Sequence, residues 1–291
     1  MKKVILFPCP QKDANYRVAR QVIFRLRSKG AKVYVDRKYE DLIWDEVETY
    51  TATPPADADL CVVLGGDGSF LDATPFPIEK GIPMVGINLG RIGFLSVIEP
   101  DKLSLLDKLF GKKKITVEKR ILLEVTIRKD NGEEKHFDRL AVNEVAFTRQ
   151  GASGVAEFSM QDEHGNCIFY FADGMILSTP TGSSAYSLSA GGPLIDNEVE
   201  AICATPICAH SFFNRPILFG PRSTITLRNN SERAIAMDLS VDGRVLDALA
   251  PGEEAEVRVA EKRLLTVEYP NSGMLNTLRR KMEAAELKKN T

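Results

Sequence analysis

Short apolar runs alternate with amphipathic segments through the first hundred residues. The apolar runs have the length of strands buried on both faces, and they occupy residues 4–7, 60–64 and 84–87. Residues 14–28 instead show helical spacing of Val18, Val22, Phe24 and Leu26, and an alternating strand follows over 32–35. This succession predicts an α/β domain with a parallel sheet, helices on both faces and a ligand site beyond the carboxyl ends of the strands.

From about Arg120 the pattern changes to alternating strands joined by turns. Residues 121–128 and 140–147 predict a hairpin around Asp130-Asn131-Gly132, and a second hairpin joins 158–160 to 168–170. Further strands are predicted at 223–227, 255–259 and 264–267. We therefore expect an α/β domain over 1–99, a mostly antiparallel all-β domain over 100–268 and a helical tail over 269–291. A stripe of Leu275, Leu278 and Met282 would be the packing face of that tail.

Composition narrows the class of protein. The 291 residues include 44% hydrophobic residues and carry a net charge of −2, from 38 basic and 40 acidic side chains. This balance is typical of a globular protein and offers no strong field for nucleic acid, and no apolar stretch reaches the roughly 20 residues of a membrane helix. The five cysteines form no Cys-x-x-Cys motif and follow no secretory signal, so we expect reduced thiols and a cytoplasmic location.

A glycine-rich loop directly follows the buried strand at 60–64. Its sequence is Gly65-Gly66-Asp67-Gly68-Ser69, and its backbone N–H groups can converge into a site for an anion. Asp67 would repel a phosphate, so it is better suited to take a proton from a hydroxyl or to approach a metal ion. The same five residues could also form a simple strand-to-helix turn. The loop lacks the Gly-Lys-Ser/Thr ending of a P-loop and the Gly-x-Gly-x-x-Gly of a dinucleotide fold.

A second segment, residues 172–195, is dense in hydroxyl groups and glycines. Small residues let a ligand approach the backbone, while Ser, Thr and Tyr provide hydrogen-bond donors. Thr181-Gly182-Ser183 can cap a helix that begins near Ser184 and would present its N–H groups. The segment indicates a ligand that is anionic and rich in hydroxyls, such as a nucleotide.

Taken in order along the chain, these blocks resemble the NAD kinase family. The matching blocks are Gly65–Ser69, Gly86–Leu95, Asn143-Glu144-Val145, Asp173–Ser189, Pro206–Ser211 with Arg215-Pro216, and Asp242-Gly243. Some positions depart from the family pattern. Ser69 and Ser184 stand where Thr is more usual, Ala209 replaces a frequent Pro, and Phe171 occupies a position that is often basic.

The resemblance implies a Rossmann-like first domain, as in NAD kinases and diacylglycerol kinases, to which the C-terminal helix over 269–291 returns. It implies transfer of the γ-phosphoryl group of ATP to the 2′-hydroxyl of the adenosine ribose of NAD. It implies that the ligands are NAD and ATP, and that ATP binds together with Mg²⁺ or another divalent cation. We also expect the protein to form a homo-oligomer, either a dimer or a tetramer. The sequence shows no cluster of His and Cys residues with the spacing of metal ligands, so we expect no metal ion bound directly by protein side chains. Asp67 would be the general base. The predicted ligand-binding residues are Gly66, Gly68 and Ser69 for phosphates; Asn143, Glu144 and Asp173 for the nucleoside; Ser184, Ala185, Tyr186 and Ser189 for the adenine end; and Thr181 in the loop before them.

Two other functions are compatible with parts of the pattern. A diacylglycerol-type lipid kinase shares the glycine-aspartate loop, but residues 173–189 do not resemble its second-domain signature. A dinucleotide-binding regulator without turnover is a candidate from another class. The presence of both Asp67 and Asp173 within intact glycine motifs argues against it.

Overall fold

The computed structural model describes residues 2–42, 47–90, 93–110, 115–151, 154–210, 214–232, 235–269 and 273–289. The chain divides into two compact units. The first contains residues 1–119 and 264–291, and the second contains residues 120–263.

The helices are α1 (Arg17–Ser28), α2 (Asp67–Ala73), α3 (Pro75–Lys80), α4 (Tyr186–Ser189) and α5 (Met274–Lys289). The strands are β1 (Lys3–Phe7), β2 (Lys32–Asp36), β3 (Glu48–Tyr50), β4 (Leu60–Gly65), β5 (Met84–Asn88), β6 (Val117–Arg120), β7 (Leu123–Arg128), β8 (Glu134–His136), β9 (Glu144–Arg149), β10 (Ala156–Gln161), β11 (Cys167–Ala172), β12 (Gly174–Ser178), β13 (Ile202–Ile207), β14 (Ile217–Phe219), β15 (Ile225–Asn229), β16 (Met237–Val241), β17 (Arg244–Leu249), β18 (Glu254–Val259) and β19 (Leu264–Val267). Within the described ranges, no helix is both long enough and apolar enough to cross a membrane.

The first unit is built on a sheet with the order β3-β2-β1-β4-β5-β19-β6. β1 pairs in parallel with both β2 and β4, and β4 pairs in parallel with β5. Every residue of β4 and β5 is buried, as expected of strands covered on both faces. The predicted α/β domain with a parallel sheet is confirmed. The strand order reverses between β1 and β4, which makes their carboxyl ends the topological switch point of the sheet.

Details of the first unit differ from the sequence-based expectations. The sequence pattern assigns β19 to the second domain, yet it pairs in parallel with β5, and burial of Leu264 and Val267 fixes it there. The division between the units accordingly falls after Lys119 rather than near residue 99. In α1 the buried face carries Val22 and Leu26, whereas Phe24 is 77% exposed.

The predicted packing stripe of the C-terminal helix is wrong for two of its three residues, since only Leu278 is half-buried. Leu275 is 76% exposed and Met282 is 66% exposed, whereas Thr277 is buried. On the buried side Arg280 forms an ion pair with Glu99. The buried side of α5 therefore differs from the side that carries Leu275 and Met282.

Two antiparallel six-stranded sheets form the second unit, with the orders β11-β10-β15-β18-β7-β8 and β14-β13-β12-β9-β16-β17. β7 alternates buried and partly exposed residues, so Leu123, Val125 and Ile127 point into a core shared with the other sheet. Phe158 and Tyr170 stack within that core, with ring centroids 5.5 Å apart. The predicted antiparallel all-β domain is confirmed.

One of its two predicted hairpins is correct. β10 and β11 pair as expected, with Phe158 opposite Tyr170. The other is wrong, because β7 pairs with the short β8, and β9 crosses to the second sheet between β12 and β16. The first four residues of β9 are all buried, which suits a central strand, and only a bridge from Leu123 to Ala141 remains of the expected pairing.

Candidate functional site

In the first unit, the two glycine-bearing motifs meet at the carboxylate of Asp67. Oδ2 accepts the backbone N–H of Phe94 at 2.9 Å, and Oδ1 accepts those of Leu95 and Ser96 at 3.0 and 3.2 Å. A β-carbon on Gly93 would lie only 2.1 Å from Oδ1, so only glycine allows this approach. The carboxylate is therefore held in one orientation by the backbone of the second motif. Residues 91 and 92 of that motif lie outside the described residues.

The glycine loop turns tightly between β4 and α2. Gly65 has φ +142°, and a β-carbon there would lie 2.3 Å from Ser69 Oγ. The Ser69 hydroxyl donates towards Cys9 Sγ at 3.7 Å, so it faces inward, whereas Gly68 is exposed with open space around it. α2 begins at Asp67, three residues before the predicted start at Phe70. Of the predicted phosphate ligands, Gly68 is the most accessible to a ligand.

Lys12 lies beside this loop and was missed by sequence reasoning. Its Nζ lies 3.1 Å from the point that a β-carbon on Gly66 would occupy, and 3.6 Å from the corresponding point on Gly90. The signal that points to it is topological. Lys12 follows β1, whose carboxyl end adjoins that of β4 at the switch point of the sheet.

In the second unit, the hydroxyl-rich segment packs directly on the Asn-Glu motif. The N–H of Thr179 donates to Asn143 O at 2.9 Å, and its Oγ1 donates to Val142 O at 2.6 Å. A β-carbon on Gly182 would lie 2.0 Å from Asn143 O. Glycine at this position therefore lets two segments about 40 residues apart come together, as the predicted dinucleotide site requires.

Glu144 occupies an unusual environment for a carboxylate. The residue is 6% exposed, its Oε2 has no hydrogen-bond partner, and the backbone N–H of Tyr186 donates to the carboxylate. Burial raises the pKa of Glu144 to about 7, and the nearby charge of Asp242 adds to the rise while the Tyr186 N–H opposes it. A buried oxygen without a partner can accept a hydrogen bond from a ligand hydroxyl.

Asp242 holds the Asn-Glu motif in place from a turn about 100 residues away. Its carboxylate accepts the backbone N–H groups of Val142, Asn143 and Glu144 at 3.0, 2.7 and 3.2 Å. Its φ is +49°, in the left-handed region that Asp tolerates better than most residues. Burial raises the pKa of Asp242, although the three N–H groups oppose that rise. The resemblance places the Asp242-Gly243 turn near the dinucleotide, and the geometry gives it a positioning role.

The predicted ligand-binding residues between Thr181 and Ser189 divide into two groups. Thr181 is buried, and its hydroxyl lies between Arg120 and Asn197, so its side chain supports the loop. Ser184 and Ala185 are half-buried, whereas Tyr186 and Ser189 are exposed. The predicted helix near Ser184 is wrong in extent, because α4 is a single four-residue turn that follows a 3₁₀ turn over Thr181–Ser184. A helix this short contributes no appreciable dipole.

Asp173 lies in the turn between β11 and β12 and forms an ion pair with a residue that sequence reasoning missed. Arg149 Nε donates to Asp173 Oδ1 at 2.6 Å, and the Asp173 side chain keeps 38% of its surface exposed. The backbone N–H of Arg149 also donates to Asp173 O. A ligand hydroxyl would therefore meet a carboxylate that is already oriented by a guanidinium group.

Comparison with known proteins accounts for both units. The model of the ATP-NAD kinase N-terminal domain matches residues 4–113, and that of the ATP-NAD kinase C-terminal domain matches residues 142–269. The NAD kinase of Thermoanaerobacter sp. (strain X514) is 34% identical over 246 residues, which cover 84% of this chain and 86% of that protein. The chain belongs to the ATP-NAD kinase family.

Solved structures share the fold of this ATP-NAD kinase family member. Yeast NADH kinase complexed with NADH gives a TM-score of 0.84 at 24% identity, covering 97% of this chain and 88% of that one. An NAD kinase from Archaeoglobus fulgidus in complex with ATP gives a TM-score of 0.73 at 20% identity, covering 96% and 99%. The family models and the relative from Thermoanaerobacter confirm the resemblance inferred from sequence.

The predicted site residues of this family member lie in both units. Gly66, Asp67, Gly68 and Ser69 belong to the first unit, and all the predicted dinucleotide ligands belong to the second. Within each unit the residues form one cluster, except that Asp173 lies with Arg149 at the turn before β12.

Proposed function

We propose that this protein transfers the γ-phosphoryl group of ATP to the 2′-hydroxyl of the adenosine ribose of NAD, giving NADP and ADP. The observation that carries the proposal is the Asp67 carboxylate, fixed by three backbone N–H groups where the two glycine motifs meet. Phosphoryl transfer has a loose transition state, so catalysis depends mainly on positioning and on neutralising charge. A carboxylate held this rigidly suits such a reaction.

Asp67 is the proposed general base. Oδ2 accepts one N–H, whereas Oδ1 accepts two, so Oδ2 keeps a lone pair for a ligand hydroxyl. As the 2′-oxygen attacks the γ-phosphorus, its proton passes to Oδ2 and ADP leaves with the electron pair of the broken P–O bond. The backbone N–H groups of Gly66 to Ser69 would bind the phosphates.

The second unit supplies the proposed dinucleotide site. Glu144 would accept ribose hydroxyls through its unpartnered Oε2, while Asn143 and Asp173 would bind polar groups of the nucleosides. Ala185 leaves room for adenine and Tyr186 is exposed for stacking, with Ser184 and Ser189 beside them. Thr181 would contribute through the shape of the loop.

We propose that Mg²⁺ or another divalent cation arrives with ATP. Among the described residues, no three His, Cys, Asp or Glu side chains are arranged to hold a metal ion. Mg²⁺ commonly binds through substrate phosphates and water, and as the ATP complex it would reduce the negative charge of the phosphates. The cation would therefore enter the site as part of the substrate.

The proposed setting is the cytoplasm, with the chain as a homo-oligomer, dimer or tetramer. All five cysteines are free, which fits a reducing compartment. Light scattering on the purified protein would determine the oligomeric state, and a monomer mass would contradict this part of the proposal.

The deciding experiment incubates the protein with NAD, ATP and Mg²⁺ and measures NADP with an NADP-specific dehydrogenase. ³¹P NMR of the product then locates the new phosphate. We expect a 2′-phosphate that appears only when all three components are present. A parallel incubation with diacylglycerol in place of NAD tests the alternative: a phosphorylated lipid there, with no NADP, would identify a lipid kinase. NAD binding without product would identify a regulator.

A further inference from the structure

The strand arrangement places a lysine at the proposed phosphate loop. β1, β4 and β5 are adjacent parallel strands, with Phe7 opposite Val63 and Gly65 opposite Asn88. The segments that follow these strands therefore emerge side by side from the carboxyl edge of the sheet, where ligands of such sheets bind. Lys12 belongs to the first of these segments.

The turn that carries Lys12 is well defined. Cys9 O accepts the N–H groups of both Lys12 and Asp13 at 3.0 Å. The buried Asp13 carboxylate then accepts the N–H groups of Val18 and Ala19 at 2.9 and 2.8 Å, which ties the turn to the start of α1. These bonds fix the backbone from which the Lys12 side chain extends.

The Lys12 ammonium lies above two glycines. Its Nζ lies 3.1 Å from the β-carbon position of Gly66, which is a tight contact, and 3.6 Å from that of Gly90, which is an ordinary van der Waals distance. Within the part of the chain that the structure describes, Lys12 forms no ion pair. Lys12 is thus a cation without an acidic partner, next to the glycine backbone of the proposed phosphate loop, and an oxyanion bound there would supply the missing negative charge.

We propose that Lys12 is a phosphate-binding residue, whose ammonium group contacts the phosphate oxygens of ATP bound at the glycine loop. The inference rests on the proposed function, because ATP is the anion that this reaction brings to the loop. A lysine acts here as a flexible point charge that can follow the phosphates as they move.

The test compares Lys12→Ala, Lys12→Arg and a control, Lys108→Ala, which removes another exposed lysine of the same unit. Lys12→Ala should raise the KM for ATP about 10- to 100-fold, the loss expected for a charge-assisted hydrogen bond. The KM for NAD and the melting temperature should stay close to those of the wild type. Lys12→Arg should recover most of the affinity, and Lys108→Ala should resemble the wild type.

Calorimetric titration with inorganic tripolyphosphate makes the test independent of turnover. The affinity of the wild type for tripolyphosphate should decrease as salt is added. At low salt, the affinity of Lys12→Ala should be lower than that of the wild type. Tripolyphosphate affinity within twofold of wild type in Lys12→Ala would overturn the proposal, as would a KM that rises for NAD and not for ATP. Absence of NADP formation by the wild type would instead overturn the proposed function, while the tripolyphosphate result would still decide the role of Lys12.

Discussion

NAD binding should strengthen as the pH rises through 7, because of Glu144. Burial raises the pKa of this carboxyl group from a usual 4.5 to about 7, so near neutral pH much of it is protonated in the free protein. Ribose hydroxyls that donate to the carboxylate favour its ionised form. If only that form binds NAD, the affinity should rise about tenfold between pH 6 and pH 8. About one proton should be released per NAD bound at pH 6.

The same group affects stability, with a definite sign. Its pKa is higher in the folded than in the unfolded chain, so its stabilising contribution is fully present below about pH 4.5 and is lost as the pH rises through about 7. The difference between 4.5 and about 7 corresponds to about 3 kcal/mol. Glu144→Gln removes the ionisation and keeps the shape. It should therefore be more stable than the wild type at pH 8, with little difference at pH 5.

The assay is calorimetric titration with NAD at pH 6, 7 and 8, in two buffers of different ionisation enthalpy, for the wild type and Glu144→Gln. The variant should bind NAD more weakly at pH 8 and lose most of the pH dependence. Denaturant melts at pH 5 and pH 8 supply the stability difference. An NAD affinity that is constant from pH 6 to pH 8, or equally pH-dependent in Glu144→Gln, would show that ionisation of Glu144 does not control NAD binding. The neighbouring Asp242 would then be the group to examine.

Two substitutions test other contacts. Gly93→Ala places a methyl group against Asp67 Oδ1, and the displaced carboxylate should lower kcat by more than about tenfold. The control Gly273→Ala, at a position with open space around it, should leave kcat unchanged. Equal kcat values for the two variants would show that the orientation of the Asp67 carboxylate is unimportant. Ala185→Leu adds three carbons at the proposed adenine wall and should weaken NAD binding by about one to two decades with little change in Tm, because Ala185 is half-exposed. Normal NAD affinity with a lowered Tm would remove Ala185 from the site.

Local patterns predicted much of this molecule because the relevant physics is local. The continuous apolar run of β4, followed at once by glycines, predicted a buried strand with a tight exit, and it placed Asp67 correctly at the end of the sheet. The alternation in β7 likewise indicated a half-buried strand. Which strand a given strand pairs with is decided by residues far away in the sequence. β9 was paired with the wrong strand and β19 was assigned to the wrong domain, because both depend on which sheet can bury the strand.

The contacts that hold the site together escaped prediction for the same reason, although the family resemblance named the blocks that contain Phe94, Leu95 and Asp242. Asp67 meets N–H groups 27 to 29 residues away, and Asp242 meets N–H groups 98 to 100 residues away. Neither spacing leaves a periodic signal in the sequence. Lys12 follows a strand without any motif, and its position over the glycine loop emerges only from the order of strands in the sheet.

The most direct test of the central claim is the rate of NADP formation by Asp67→Asn compared with the wild type, at saturating NAD and ATP. The amide retains most of the size of the side chain, but it cannot take the proton. Its NH₂ group would also face a backbone N–H donor of residues 94–96, so at least one hydrogen bond to the side chain is lost. The proposal that Asp67 is the general base predicts NADP formation by the wild type and a kcat that is lower by a factor of about 10² to 10⁴ in the variant, with NAD affinity little changed. More than about a third of the wild-type kcat in a folded Asp67→Asn would contradict it.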